Sequence, residues 1–398
     1  MKLSTNLLCY LTFFTTLVTS YNNGMGRKPP LGWSSWCTDD ITCGILDYCN
    51  EDEVKQIALE ISTNGMKDLG YTWLNLDDCW AAETRDANGH LQPDPTRFPN
   101  GMAALNSYVN SLGLYLGLYT CAGQYTCKYN RSGSEGNYDV DANTFASWGI
   151  SGVKADNCFT NHSQAPHEYY ANFSYYLNQT GHPFLFEICV WGEDNVETWG
   201  GKVGQTFRIN NDHLPLWSFN GQGTADVIEK MALVGNCSQS YGWADPDFMY
   251  TGIFTLSNTE SETEFAFWSL FNGPMVFATD PRNMSTWLAS VLLNKDIIAI
   301  NQDDAMVPGY RIRMDNSSNT QVWMKPLANQ DIAVILYNKN DWTNNTISMT
   351  WDEIGWNTND LVQIYDLWQH KSIGNSTGGL NSGNVPPHGH VYYRLTKL

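Results

Sequence analysis

Gly152-Val153-Lys154-Ala155-Asp156-Asn157-Cys158 is a short extended run that ends in an acid and a cysteine, and much of the chain repeats its plan. Comparable apolar runs occupy residues 31–35, 72–76, 114–119, 184–189, 206–209, 275–278 and, more weakly, 241–243. With 152–155 they make eight, and helical patterns separate them. That rhythm predicts parallel strands joined by crossover helices, and eight is the number that closes a (β/α)8 TIM barrel. Between the first two runs, Asn50 with Glu53 three residues on predicts a capped helix start. Val54, Ile57, Ala58 and Ile61 then recur at helical spacing, and Gly65 falls where the helix should stop. Residues 262–270 and 284–300 read as two late helices.

After Asn301-Gln302-Asp303 the character changes. Strand-like runs at 321–324, 332–337, 361–365 and 390–395 are separated by Asn, Gly and Pro clusters, with no helical pattern between them. The expected organisation is a barrel over 21–307 followed by a C-terminal antiparallel β domain over 308–398.

The chain has 398 residues, with 22 Lys plus Arg against 41 Asp plus Glu, a formal charge of −19. Such an excess of negative charge argues against a phosphate-binding surface and hence against nucleic acid as a partner. With 42% hydrophobic and 16% charged residues, the composition is that of a folded chain rather than a disordered one. Lys2, the apolar run 7–18 and Val18-Thr19-Ser20 have the form of a signal peptide over residues 1–20, too short to span a bilayer. A secreted or lysosomal protein without a membrane anchor is expected. Nine Asn-x-Ser/Thr sequons fit export: Asn130, Asn161, Asn172, Asn178, Asn236, Asn283, Asn316, Asn344 and Asn375. Loss of Cys9 with the signal leaves nine cysteines, which predicts disulfides and one thiol left over. No Cys-x-x-Cys pair occurs and the eight His lack ligand spacing, so no metal site is expected.

Barrel enzymes carry their chemistry at the carboxyl ends of the strands. Acids recur there: Asp77 and Asp78, Asp156, Asp212, Asp245 and Asp247. Lys154 and Asp156 are two apart on a strand and point to one face, where the ammonium would favour an ionised carboxylate. Arg208 and Asp212 repeat the theme. Two carboxylates across a pocket are what glycoside hydrolysis requires. The chain has no Gly-x-Gly-x-x-Gly, phosphate loop or Gly-x-Ser-x-Gly, so no cofactor is expected. Trp33, Trp36, Trp80, Tyr119, Trp191 and Trp243 lie at or near strand ends, where flat apolar faces could pack on a sugar ring.

Taken together, several motifs resemble those of glycoside hydrolase family 27, the retaining α-galactosidases. They are Pro30-Leu31-Gly32-Trp33 with Trp36, Leu76-Asp77-Asp78-Cys79-Trp80, Arg97-Phe98-Pro99-Asn100-Gly101-Met102, Val153-Lys154-Ala155-Asp156-Asn157-Cys158, Arg208 with Asp212, Trp243-Ala244-Asp245-Pro246-Asp247, and Ile298-Ala299-Ile300-Asn301-Gln302-Asp303. They run in the family's order from about residue 24 to 305, and the C-terminal part resembles the family's β-sandwich domain. The resemblance implies that Asp156 is the nucleophile and Asp212 the general acid/base. It places Asp77 and Asp78 on the galactose 4- and 6-hydroxyls, Lys154 and Tyr119 in the same pocket, Arg208 near the 2-position, and Trp36 and Asp247 in the wall. It also implies disulfides Cys127–Cys158 and Cys43–Cys79, beside which Cys37 with Cys49 is our choice for a third.

The implied activity is removal of terminal α-galactose from oligosaccharides or glycoconjugates with retention, the two carboxylates standing about 5–5.5 Å apart. One departure bears on specificity. Many relatives place a polar residue, often Glu, between Cys and Trp on the fifth strand, where this chain has Cys189-Val190-Trp191. Valine offers no acceptor to a 2-hydroxyl, which leaves α-N-acetylgalactosaminidase and β-L-arabinopyranosidase activities as alternatives on the same scaffold. The alternative from another class is a non-catalytic sugar-binding barrel. An acidic composition and a carboxylate pair together predict a bell-shaped pH profile on the acid side.

Overall fold

The computed structural model describes residues 20–36, 48–161 and 163–398. Eight parallel strands form one sheet: β1 (Leu31–Ser34), β2 (Tyr71–Leu76), β3 (Tyr115–Cys121), β4 (Gly152–Asp156), β5 (Leu185–Cys189), β6 (Thr206–Arg208), β7 (Trp243–Asp245) and β8 (Met275–Phe277). β1 lies between β2 and β8, and the ladder continues in chain order to β7. The ring closes just beyond β7, where Met249 bridges Phe277 and its N–H donates to Val276 O at 2.8 Å. The (β/α)8 barrel is therefore complete.

The helices are α1 (Glu51–Thr63), α2 (Gly101–Ser111), α3 (Tyr138–Ser147), α4 (Pro166–Gln179), α5 (Thr224–Val234), α6 (Asn258–Leu270), α7 (Thr286–Leu292) and α8 (Lys295–Asn301). Asn50 caps α1 as expected, its side chain accepting from Glu53 N–H at 3.0 Å. Val54, Ile57, Ala58 and Ile61 of that helix are buried against the barrel. Only 3₁₀ turns, Glu193–Thr198 and Gly200–Lys202, join β5 to β6.

Two expected elements are corrected. The seventh strand lies later than 241–243, because Tyr241 has φ +68° and Gln239 bridges Gly242, which makes that stretch a turn. Asp245 thus stands inside β7, not after it. The helix expected over 284–300 is broken at Asn294, whose side chain accepts from the N–H groups of Asp296 and Ile297 and donates to Leu367 O, each at 3.1 Å. That residue caps α8 and ties it to the second domain.

Inside the barrel, Gly117 and Gly152 make room for larger neighbours. A Cβ at Gly117 would stand 2.3 Å from Asn75 Oδ1, and one at Gly152 would crowd Trp73 at 3.2 Å. The lower barrel is filled from β2 because β3 and β4 carry no side chain there.

The C-terminal strands are β9 (Tyr310–Asp315), β10 (Thr320–Pro326), β11 (Ile332–Asn338), β12 (Asn345–Thr350), β13 (Val362–Asp366), β14 (Lys371–Ser376), β15 (Gly379–Val385) and β16 (His390–Lys397). They form a six-stranded antiparallel sheet, β14-β13-β16-β11-β10-β9, and a two-stranded sheet, β12-β15. Side-chain alternation gives the large sheet two faces. Val322, Met324, Val334 and Leu336 pack on Ile347, Met349, Leu380 and Val385 of the small sheet, closing a sandwich. Trp323, Ile335, Tyr337 and Tyr392 join the barrel core instead. There Phe267 of α6 meets Trp323 and Tyr337 edge-on, with ring centres 5.2 and 5.1 Å apart.

Candidate active site

Asp156 is the last residue of β4, in register with Cys121 on β3 and Cys189 on β5. It is buried, and its Oδ2 accepts from the Tyr119 hydroxyl at 2.8 Å. Its Oδ1 has no hydrogen-bond partner among the described residues. Burial pushes the Asp156 carboxyl up to about 6; the Lys154 cation pulls the other way, and the charge of Asp212 adds to the rise.

Lys154, two residues back on the same face, ion-pairs with Asp77 Oδ2 at 2.9 Å. Its ammonium also lies 4.6 Å from the ring centre of Phe248 and 5.5 Å from that of Tyr119. Burial works against this charge, but Asp77 and Asp156 outweigh it and hold Lys154 protonated. Asp77 and Asp78 follow β2 as a locked pair. Asp78 N–H donates to Asp77 Oδ1 at 2.8 Å, and Asp77 N–H to Ser35 Oγ at 3.0 Å. Asp78 Oδ2 accepts the N–H groups of Lys128 and Tyr129 at 2.7 and 3.2 Å, so the loop after β3 is fastened to β2. Burial raises Asp78 in spite of these bonds.

The second group centres on Arg208 at the end of β6. Its Nη2 bonds Asp247 Oδ2 at 2.6 Å and Asp212 Oδ1 at 3.1 Å, and its Nη1 donates to Cys189 Sγ at 3.4 Å. The Nε of Arg208 is buried and has no partner among the described residues. Asp247 has φ +82°, a conformation that a non-glycine residue adopts at a cost. It is held there by its N–H bond to Asp245 Oδ1, by Arg208, and by His213 N–H on its Oδ2 at 2.8 Å. Burial raises Asp247, and Arg208 opposes that rise. Asp212 differs from every other acid here, with its side chain 63% exposed. Cys189 is where the two groups meet, beside Asp156 in register and bonded to Arg208.

Trp36 is half-buried and packs on the cluster of Phe248, Tyr250 and Val276, with the Lys128 ammonium 5.6 Å from its ring centre. The expected sugar-facing aromatics need correction, since Trp33, Trp80 and Trp243 are fully buried core. Trp80 and Trp243 spend their indole N–H on Tyr119 O and Gly26 O, both at 2.8 Å. Val190 is also fully buried in the barrel core. Cys127–Cys158 is present, with Cα atoms 5.4 Å apart. Cys79 pairs with Cys49, Cα atoms 6.1 Å apart, in place of the expected Cys43, and this also removes Cys37–Cys49. Cys49 lies directly before α1, whose start is pinned beside the β2 loop by Glu51 N–H on Arg97 O. Cys37 and Cys43 lie outside the described residues. Among the described residues two thiols, Cys121 and Cys189, are free and buried.

Sequence reasoning missed Glu187 and Phe248. Glu187 is the register partner of Lys154 on β5 and shares its inward face. Burial raises its carboxyl, with Lys154 opposing. Its position two residues before Cys189 was a usable signal, because alternation puts both on one face. Phe248 lies in the irregular segment after β7, so no strand pattern marks it. Among the described residues no group of His, Cys, Asp and Glu is arranged to hold a metal ion.

A family model of α-galactosidase A matches residues 28–303, and one of the α-galactosidase C-terminal β-sandwich domain matches 317–395. The chain belongs to the α-galactosidase family, glycoside hydrolase family 27. Within this α-galactosidase family it is 37% identical over 397 residues to a probable α-galactosidase of Dictyostelium discoideum, covering 100% of this chain and 99% of that one. Among solved α-galactosidases, that of Mortierella vinacea (α-galactosidase I) superposes with a TM-score of 0.89 at 29% identity, over 94% of this chain and 98% of the other. That of Saccharomyces cerevisiae with raffinose gives 0.86 at 25% identity, over 96% and 100%. The α-galactosidase match at 28–303 contains every site residue described above.

Proposed function

We propose that the chain removes terminal α-galactose from oligosaccharides or glycoconjugates with retention of configuration, with Asp156 as nucleophile and Asp212 as general acid/base. The observation that carries this reading is the state of Asp156. It is buried, held by Tyr119 through one oxygen, without a hydrogen-bond partner on the other among the described residues, and two residues along the strand from the Lys154 cation. A fixed carboxylate with one oxygen free to attack is what a double displacement asks of its nucleophile.

In the first half-reaction Asp212 gives its proton to the leaving oxygen while Asp156 Oδ1 bonds to the anomeric carbon. In the second, Asp212 takes a proton from water, whose oxygen displaces Asp156 and releases galactose. The exposure of Asp212 suits a group that meets both leaving group and water. Asp77 and Asp78, held as fixed acceptors, would take the 4- and 6-hydroxyls and favour an axial 4-hydroxyl. Arg208, whose Nε has no partner among the described residues, would serve the 2-position as a donor. Trp36, Tyr119, Lys154 and Asp247 complete the pocket wall.

Proton NMR of the first sugar released from an aryl α-galactoside tests the chemistry. α-Galactose appearing first is expected; β-galactose first would mean inversion. Asp156→Asn should abolish turnover and keep galactose binding, and turnover surviving that change would remove Asp156 from the mechanism. The alternative left open by the sequence is hydrolysis of 2-acetamido substrates, although Val190 itself is core and does not reach the pocket. Comparison of aryl α-galactoside, α-N-acetylgalactosaminide and β-L-arabinopyranoside decides it, and equal or better turnover of the second would displace galactose. We also read the chain as exported. In support, eight of its nine sequon asparagines, Asn130, Asn161, Asn172, Asn178, Asn283, Asn316, Asn344 and Asn375, are exposed. No helix among the described residues is long and apolar enough to cross a membrane. The signal peptide expected over 1–20 lies outside the described residues except for Ser20.

A further inference from the structure

We propose that Tyr125 and Phe159 form a platform for the first sugar of an N-linked glycan on Asn161. Phe159 is 53% exposed and Tyr125 49%, and the two rings meet edge to face with centres 5.9 Å apart at 89°. Exposure of two large aromatics side by side costs free energy unless something covers them. The exposure is built in. Phe159 has φ +52°, and its carbonyl accepts Gln124 N–H at 3.2 Å. The backbone at 158–159 lies so close on Gly123 that a Cβ there would stand 2.1 Å from Cys158 O. The Cys127–Cys158 disulfide ties together the two loops that carry the rings.

Two residues beyond Phe159 stands Asn161, exposed, in the sequon Asn161-His162-Ser163. Its Oδ1 accepts Ser163 N–H at 3.1 Å. With the oxygen engaged, Nδ2 is the atom left for attachment. In the transfer, Asn161 Nδ2 bonds to C1 of an oligosaccharide carried on a lipid diphosphate, loses one proton, and the lipid diphosphate departs. A pyranose attached there, two residues from Phe159, would turn its C–H face to the exposed side of the phenyl ring that Tyr125 leaves uncovered.

The substrate's leaving group is the other sugar that could use such a ring, and the geometry disfavours it. The leaving group departs from the face of the galactose opposite Asp156, on the Asp212 side. Phe159 instead adjoins the disulfide whose Cys127 sulfur is 3.4 Å from Asp156 Oδ2, on the nucleophile side.

This proposal rests on export, and only its exclusion of the leaving group draws on the hydrolytic reading. The chain is produced in a eukaryotic secreting host in two forms, one with its own residues 1–20 and one with a host leader in their place. The first form reads export; the second reads Asn161 whatever the first returns. Peptide mass mapping should find Asn161 glycosylated. Asn161→Gln and Phe159→Ala should each lower Tm by about 2 °C, the double variant should lose no more than either alone, and Phe159→Trp should restore the loss. An unmodified Asn161 peptide in exported protein, or Tm losses that simply add, would overturn the proposal. So would a fall in kcat/KM for raffinose, but not for α-galactosyl fluoride, in Phe159→Ala, since that would give the ring to the leaving group.

Discussion

The carboxyl end of the barrel and the seam between barrel and C-terminal sheet are both buried, yet they are filled by opposite rules. Around Asp156 the interior holds Asp77, Asp78, Lys154, Glu187, Arg208, Asp245 and Asp247, titratable groups whose charged forms the low dielectric makes expensive and pairing only partly relieves. At the seam, Phe267, Phe271, Trp323, Tyr337 and Tyr392 interlock, and the side chain of Lys325 is fully buried with them, pushed down to about 7 by burial. It donates to Asn272 Oδ1 and Ile300 O, which gives it the partners a buried ammonium needs. The difference separates binding chemistry from cohesion: the seam stabilises the molecule that the rim strains.

The strongest test of that division is Asp156→Asn. Turnover of an aryl α-galactoside should fall by more than about 10³-fold, as expected when the reacting group is lost. Thermal unfolding should occur at the same temperature or higher, because a desolvated charge has been removed. A large fall in Tm would mean that the rim is also structural.

Trp323→Ala makes the converse test. Truncation of a buried tryptophan costs about 3–5 kcal/mol of stability in denaturant titration. The kcat of the protein that remains folded should not change. A change in kcat would show the seam to be coupled to the site.

Lys154→Met probes the balance within the rim. The cation opposes the rise that burial imposes on Asp156, so its loss lifts the nucleophile further above about 6. The acid limb of kcat/KM should therefore move to higher pH, beyond any general loss of activity. An unmoved limb would detach Lys154 from the nucleophile.

Glu187→Gln should have the smallest effect, visible only in stability against pH. Burial raises the folded-state carboxyl from its usual range to about 8. Below the ordinary carboxylate range both folded and unfolded chains hold the proton. As pH climbs from there to about 8 the unfolded chain releases it first, so stability falls. The glutamine variant should lack that contribution, matching the natural chain near pH 4 and exceeding it at pH 8. Parallel curves for the two proteins would show Glu187 ionised in the fold.

How far the sequence could be read depended on how each element is buried. Barrel strands carry dense apolar runs because both faces are covered, so seven of them were legible, and the acids after them marked the rim. β9, β12, β14 and β15 were not legible: Lys371–Ser376 of β14 is exposed along almost its whole length and reads as loop. Asn294 looked like an ordinary helix residue because its reason for breaking the helix, Leu367 O, is 73 positions away. Phe159 drew no attention, since a left-handed backbone under an exposed ring leaves no periodic trace.

The sequence alone determined the count of barrel strands, the acids near their ends, the change of architecture beyond residue 303 and the family resemblance, because periodicity and residue type are local properties of the chain. Only the tertiary structure decided that Cys49 takes Cys79, that Trp33, Trp80 and Trp243 belong to the core, that Glu187 sits beside Lys154, and that Asp156 is enclosed while Asp212 faces water. Those outcomes depend on which strands become neighbours and how much solvent each group keeps, and both are settled only when the ring closes.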